Sequence, residues 1–159
     1  MRVGIGHDTH RLEAGRALIL GGVHVPHSRG LAGHSDADVV LHALTDALLG
    51  AAGLGDIGDA YPDTEPLHKD ADSAVFVRET VARLNQAGWH VVNVDVIVFA
   101  QEPKLGSVKS AIRASLANLL GISADAVNIK AKTGERVGHI GRAEAMACQV
   151  VALIDRKSP

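Results

Sequence analysis

His34-Ser35-Asp36-Ala37-Asp38-Val39-Val40-Leu41-His42-Ala43-Leu44-Thr45-Asp46-Ala47-Leu48 is the stretch on which the fold turns. Ser35 followed three residues later by Asp38 has the form of a capping box at a helix start. Val40, Leu41, Leu44, Ala47, Leu48 and Ala51 then recur at helical spacing, which predicts an amphipathic helix ending between Gly50 and Gly55. Toward the N-terminus, Ala17 to Pro26 reads as two short extended pieces around Gly21-Gly22, and residues 2 to 10 as a first strand. Toward the C-terminus, the glycine, proline and aspartate of Gly55 to Ala71 signal a long loop. A second helix is expected at about 72 to 87, with Val77, Val81 and Leu84 on its stripe and Gly88 as its stop.

Val91 to Ala100 is rich in β-branched residues and reads as a central strand. After Pro103 a third helix carries Ile112, Leu116, Leu119 and Leu120 and ends at Gly121. Val127, Ile129 and Ala131 alternate with Asn128, Lys130 and Lys132, the period of a half-buried strand. Ala145 to Ile154 adds a last apolar strand. This order predicts an α+β fold, a mixed sheet with helices on one face, and one domain over residues 1–159. The second sheet face then needs a cover, and a partner subunit is the simplest one.

Composition narrows the function. The chain has 159 residues, 47% of them apolar and 21% charged, enough for a buried core. Sixteen basic and 18 acidic residues leave a formal charge of −2, and aromatics are 3%, so a nucleic-acid polymer is excluded as an expected partner while a small nucleotide is not. One cysteine, Cys148, fits a reducing compartment, and no apolar run approaches a bilayer span. With only a few residues before the first chemistry-bearing position, Asp8, a cytoplasmic location is expected.

Three groups carry chemistry. Asp8-Thr9-His10 on a strand projects a carboxylate and an imidazole to the same side. On the first helix, Asp38, His42 and Asp46 are spaced by four, so His42 supplies a third ligand and Asp46 a partner for its other ring nitrogen. Two imidazoles and a carboxylate suit zinc with an open position, and equally non-haem iron. With nine histidines in the chain, such pairs also arise as ordinary structural residues. The second group is Lys130-Ala131-Lys132-Thr133-Gly134-Glu135 followed by Gly141-Arg142, where Glu135 can take a magnesium ion shared with phosphate oxygens and Thr133 can donate to a phosphate. The third is Asp56-Ile57-Gly58-Asp59-Ala60-Tyr61-Pro62-Asp63-Thr64, whose carboxylates can accept from sugar hydroxyls, although turn chemistry alone also places aspartates there.

Taken in order, Gly6-His7-Asp8-Thr9-His10, Gly33 to Asp38, Leu41 to Leu48, Leu54 to Gly58, Pro62-Asp63-Thr64, Pro103-Lys104 and Gly141-Arg142 resemble the 2-C-methyl-D-erythritol 2,4-cyclodiphosphate synthase family over nearly the whole chain. The resemblance implies a homotrimer with the sheets facing inward and active sites between subunits. It implies zinc, or another divalent transition metal, on Asp8, His10 and His42, and a magnesium or manganese ion at Glu135. It assigns transition-state stabilisation to His34 and Thr133. One subunit would bring Asp8, His10, His34, Ser35 and the loop Asp56, Ile57, Gly58, Tyr61, Pro62, Asp63, Thr64 and Glu65. Its neighbour would bring a cytosine pocket from Ala100, Pro103, Lys104, Leu105 and Gly106, together with Ala131, Lys132, Thr133, Gly134 and Glu135. The implied reaction is phosphorus–oxygen lyase chemistry that closes a cyclic diphosphate and expels CMP. The sequence departs from the family at His139, where an aromatic is commoner, and at Lys132 and Gly134, where some members have threonine. The first of these departures bears on the cavity near His139 and Arg142 along the trimer axis, the place implied for an isoprenoid diphosphate.

Overall fold

The computed structural model describes residues 1–62 and 71–156. Strand β1 (Arg2–Ala14) is followed by the hairpin of β2 (Leu18–Leu20) and β3 (Val23–Val25), and by β4 (Arg29–Leu31). Helices α1 (Val39–Ala52), α2 (Ile57–Ala60) and α3 (Ala74–Gln86) lead to β5 (Trp89–Phe99), and α4 (Lys109–Leu120) leads to β6 (Val127–Lys132). The short helix α5 (Gly138–Gly141) precedes β7 (Ala145–Arg156). The main sheet runs β4-β1-β7-β5-β6, with β5 and β6 parallel and the other pairs antiparallel. The expected mixed α+β sheet is therefore present, with the C-terminal segment as its middle strand.

Alternation decides which side of the sheet is filled. Val94, Val96 and Val98 of β5, Met146, Cys148, Val150 and Ala152 of β7, and Val127 and Ile129 of β6 are all buried in one core under the helices. Helix α1 is buried nearly all round: besides the expected stripe, Val39, Ala43 and Leu49 are also inaccessible. A helix apolar on every side belongs between layers, and α1 lies between the sheet and α3. Its fully buried leucines, Leu41, Leu44, Leu48 and Leu49, stabilise the fold by about 1.5–3 kcal/mol each. On the opposite side of the sheet Val3, Ile5 and Val151 are 67%, 61% and 41% exposed, with Asp95 and Lys130 ion-paired nearby on adjacent strands.

Two expectations need correction, and one strand was not foreseen. Ser35 is not the helix cap: Asp38 is, its side chain accepting from the Val40 and Leu41 amides. The same carboxylate also accepts from the amides of Gly21 (2.9 Å) and Gly22 (2.7 Å), so the β2–β3 turn pulls it inward. Complete burial pushes the Asp38 carboxyl up to about 6 against those donors. The Gly55–Ala71 segment is not loop throughout, since α2 lies inside it. Strand β4 had no alternating pattern to reveal it.

Candidate metal centre

Gly4, Gly6, Asp8 and His10 occupy alternate positions of β1 and share its helix-facing side. A Cβ at Gly6 would stand 2.0 Å from the Ala43 carbonyl oxygen, and one at Gly4 2.0 Å from that of Ala47. The two glycines let α1 lie directly on the strand backbone. Ala51, Ala47 and Ala43 pass over Gly4 and Gly6, so His42, next to Ala43 on the helix, comes to rest beside Asp8 and His10. Sequence reasoning did not single out Gly4 and Gly6. The available signal was glycine at i and i+2 on a strand facing alanine at three positions spaced by four on a helix.

Among the described residues, Asp8, His10 and His42 form a group able to hold a metal ion. Asp8 Oδ2 lies 2.9 Å from His10 Nε2 and 3.1 Å from His42 Nδ1, and the two nitrogens are 3.1 Å apart. Tetrahedral zinc with bonds of about 2.0–2.1 Å needs donors about 3.3 Å apart, which this triangle meets closely. The partners of the other ring nitrogens assign the tautomers. His10 Nδ1 donates to the Ala32 carbonyl at 2.6 Å, leaving Nε2 bare. His42 Nε2 meets Ser73 Oγ at 2.9 Å and Ser35 Oγ at 3.1 Å, and donating its proton to either hydroxyl leaves Nδ1 bare. Three lone pairs thus converge on one point, which calls for a cation or a shared proton.

The electrostatics agree with that demand. Burial raises the Asp8 carboxyl, but where a proton stands between these atoms the hydrogen bonds and charge of His10 and His42 outweigh this and hold it well below the usual carboxylate range. Burial likewise lowers His10, and the hydrogen bond and charge of Asp8 reverse it to a net upward shift. The donor set accepts zinc or iron by type.

A cavity of about 440 Å³ opens beside the triad, lined by His10, Gly33, His34, Ser35, His42, Ile57, Gly58, Tyr61 and Phe76. His34 is exposed at its rim. Tyr61 stacks on Phe76 at 4.6 Å, and its hydroxyl donates to the Phe76 carbonyl, so the two rings form an apolar wall. Phe76 and Ser73 were not anticipated, because they lie more than 30 residues along the chain from His42. Asp46 does not partner His42 as expected: its carboxylate accepts from the Ile57 amide at 3.2 Å and anchors α2. Asp56 caps α2 by accepting from the Asp59 amide. Pro62 ends the described part of this loop, and Asp63, Thr64 and Glu65 lie outside the described residues.

The second group gathers elsewhere. The Ala100 amide donates to the Lys132 carbonyl at 2.9 Å, and the Arg136 amide to Gln101 Oε1 at 3.3 Å, so the Ala100–Gly106 turn lies against Ala131–Glu135. Leu105 is buried, while Lys104 and Gly106 are exposed and Pro103 is half-buried. Thr133 donates to Glu135 Oε1 at 2.8 Å, and Glu135 and Arg136 have φ of 49° and 63°. Consecutive non-glycine residues in the left-handed region are uncommon and concentrate at functional sites. Gly134 packs against the backbone of Gly141. His139 and Arg142 line a separate hollow of about 650 Å³ with Thr9, Arg11 and Arg29, and Arg142 is held by Glu144 at 2.8 Å.

Within one chain the two groups do not meet. Thr9, Ala147, Phe99 and Lys132 are register partners in one row across β1, β7, β5 and β6. Three strand spacings of about 4.8 Å put Lys132 about 14 Å from Thr9, hence Thr133 and Glu135 well away from the metal triad.

Comparison with known proteins bears on the same residues. The family model described as the YgbB family matches residues 1–155. A 2-C-methyl-D-erythritol 2,4-cyclodiphosphate synthase from Bordetella avium is 59% identical over 157 residues, covering 99% of this chain and 97% of that protein. The bifunctional IspDF from Campylobacter jejuni superposes with a TM-score of 0.95 at 40% identity, over 99% of this chain and 42% of that one. A solved 2C-methyl-D-erythritol-2,4-cyclodiphosphate synthase in a CDP-bound form superposes at 0.90 and 38% identity, over 97% of this chain and all of that one. With the match running through both residue groups and the glycines that seat α1, the chain belongs to the YgbB family, the family of these cyclodiphosphate synthases.

Proposed function

We propose that this chain, acting as one domain over residues 1–159, converts 4-diphosphocytidyl-2-C-methyl-D-erythritol 2-phosphate into 2-C-methyl-D-erythritol 2,4-cyclodiphosphate and CMP, a step of the non-mevalonate route to isopentenyl and dimethylallyl diphosphate. An oxygen of the 2-phosphate attacks the β-phosphorus of the same molecule. One phosphorus–oxygen bond forms, the bond from that phosphorus to the oxygen of the CMP group breaks, and CMP leaves with the electron pair. The nucleophile is already ionised, so the protein needs no strong base and works by folding the substrate for in-line attack and by balancing charge. The observation that carries this reading is the convergence of three bare donors of Asp8, His10 and His42 beside a cavity.

Bound zinc at that triad supplies Lewis acidity and a template for phosphate oxygens, and magnesium or manganese at Glu135 supplies neutralising charge. His34 at the cavity rim and the Thr133 hydroxyl orient and stabilise the reacting phosphates. Tyr61 and Phe76 exclude water from one side. Ala100–Gly106, with Lys104, receives the cytidine end, a role supported by the CDP named in the related structure.

The protein acts as a homotrimer in this reading, with each site built by two subunits and with the open sheet faces turned inward. Two observations support it: the exposed Val3, Ile5 and Val151, and the roughly 14 Å between the two residue groups of a single chain. The hollow at His139 and Arg142 then faces the threefold axis and is open to an isoprenoid diphosphate. Among the described residues no helix is long and apolar enough to cross a membrane, and we assign the enzyme to the cytoplasm.

Phosphorus NMR of the purified protein with zinc, magnesium and the substrate tests the reaction. CMP and a cyclic diphosphate are expected to appear together, and His42→Ala is expected to abolish both. An unchanged substrate with folded, metal-loaded protein would overturn the reading.

A further inference from the structure

Ser73 stands at the N-cap of α3, where a serine ordinarily accepts from an amide of the first turn. Here its side chain makes no such bond. The Ala74 amide donates to Asp72 Oδ1 instead. Ser73 is fully buried, and its hydroxyl points away from its own helix into the metal centre. Ser73 Oγ donates to Asp36 Oδ1 at 2.5 Å, and Asp36 Oδ2 accepts from the Ser73 amide at 3.2 Å, so one carboxylate grips the serine from two sides. A hydroxyl has a single proton. Once that proton is given to Asp36, Ser73 Oγ can only accept from His42 Nε2, 2.9 Å away.

We infer that Ser73, held by Asp36, is a positioning residue of the metal centre. Its hydroxyl takes the hydrogen bond of His42 Nε2–H, which keeps Nδ1 bare and turned toward Asp8 and His10. The inference rests on the reading that this triad binds a metal. It adds two residues that are not ligands: Ser73, 31 positions along the chain from His42, and Asp36, in the segment that enters α1. Ser35 is the farther partner at 3.1 Å; its oxygen accepts from the Ala37 amide, and its own proton has Ser73 Oγ, 3.3 Å away, as an acceptor other than the imidazole. The Asp36 amide donates to the Ala71 carbonyl, so the same linkage ties the His42 ring to the chain entering α3.

Partners of ligating histidines commonly change metal affinity by about 10- to 100-fold. The test is zinc binding to the metal-stripped full chain, by competition with a chromophoric chelator, for wild type, Ser73→Ala and Asp36→Asn. Ser73→Ala is expected to bind about 10- to 100-fold more weakly. Asp36→Asn should lose less, because an amide oxygen still accepts from Ser73. In parallel, two-bond proton–nitrogen NMR of the metal-free wild type, above the ordinary histidine range, is expected to find the His42 proton on Nε2. That measurement decides the matter if Ser73→Ala fails to fold. A proton on Nδ1, or Ser73→Ala binding zinc as tightly as a tight-binding wild type, overturns the role of Ser73 alone. Wild type that binds no zinc overturns the metal reading and this inference together.

Discussion

Along β1, Gly4, Gly6, Asp8 and His10 look into the chain, while Val3, Ile5, His7 and Thr9 look out of it. The inward set meets a helix at backbone distance, and its last two members complete a triangle of donors about 3 Å apart. The outward set is exposed at all four positions: His7 and Thr9 contact each other at 3.2 Å, and the apolar members Val3 and Ile5 are more than half exposed. One strand thus carries a finished half and an unfinished half. The finished half teaches that the metal centre is a product of tertiary packing inside a single chain. The unfinished half leaves an exposed apolar strip on the sheet, which the homotrimer proposed above would cover with other copies while closing the gap between the triad and Glu135.

The largest effect is expected from breaking the finished side. Gly6→Val places a side chain where the Ala43 carbonyl now lies. Forced overpacking of this kind costs about 3 kcal/mol, roughly 6–12 °C in melting temperature for a domain of this size. A thermal melt together with zinc stoichiometry checks it. Unchanged melting and full zinc content would show that α1 does not need the bare strand.

Next comes the unfinished side. Ile5→Asp puts a charge on the open face, 61% exposed in the single chain, and should leave the fold and zinc binding intact while preventing assembly. Sedimentation is expected to give 16.6 kDa where wild type gives about three times that mass, and turnover should fall by at least ~100-fold because each site lacks its second subunit. A variant that stays trimeric would remove this face as the interface.

Glu135→Gln sits between these two. It removes a charge from the second group alone, so zinc binding should be unchanged while kcat drops about 100-fold. Mixed with His42→Ala, it should regain part of the activity, since some assemblies then hold one intact site between two different defects. No recovery on mixing would place both groups in one chain's site.

What could be read from the sequence followed local periodicity. The α1 stripe, the alternation in β6 and the Asp8-Thr9-His10 pair all appear through spacing alone, and they were enough for the mixed sheet and the donor triad. What could not be read depended on partners distant in sequence. Ser35 and Asp38 have the form of a capping box, yet the Gly21 and Gly22 amides draw Asp38 into the cap, and Ser35 turns to His42 instead. Asp46 is at the right helical spacing for His42, but Ile57 uses its carboxylate while Ser73 takes the imidazole. Gly4 and Gly6 carry no chemistry of their own, and their function is visible only with Ala43 and Ala47 above them.

The smallest expected effect sharpens the contrast most finely. Asp95 and Lys130 pair on the open face, each about 40% exposed. The Lys130 hydrogen bond lowers the Asp95 carboxyl below its ordinary value. A depressed carboxylate stabilises the fold above its unfolded value of 3.8, and that contribution fades as the pH drops through the lower folded value. In a solvated single chain the pair is worth less than about 1 kcal/mol. If other copies cover the face, water no longer screens the pair, and removing Lys130 strands a charge at the interface. Lys130→Met should therefore cost more in the wild-type background than in the Ile5→Asp monomer, with the difference shrinking as the medium is taken below the ordinary carboxylate range. Denaturant unfolding of the four combinations measures this directly. Equal costs in both backgrounds would mean that the pair stays wet in the assembly, confining the covered area to the strip of Val3, Ile5 and Val151.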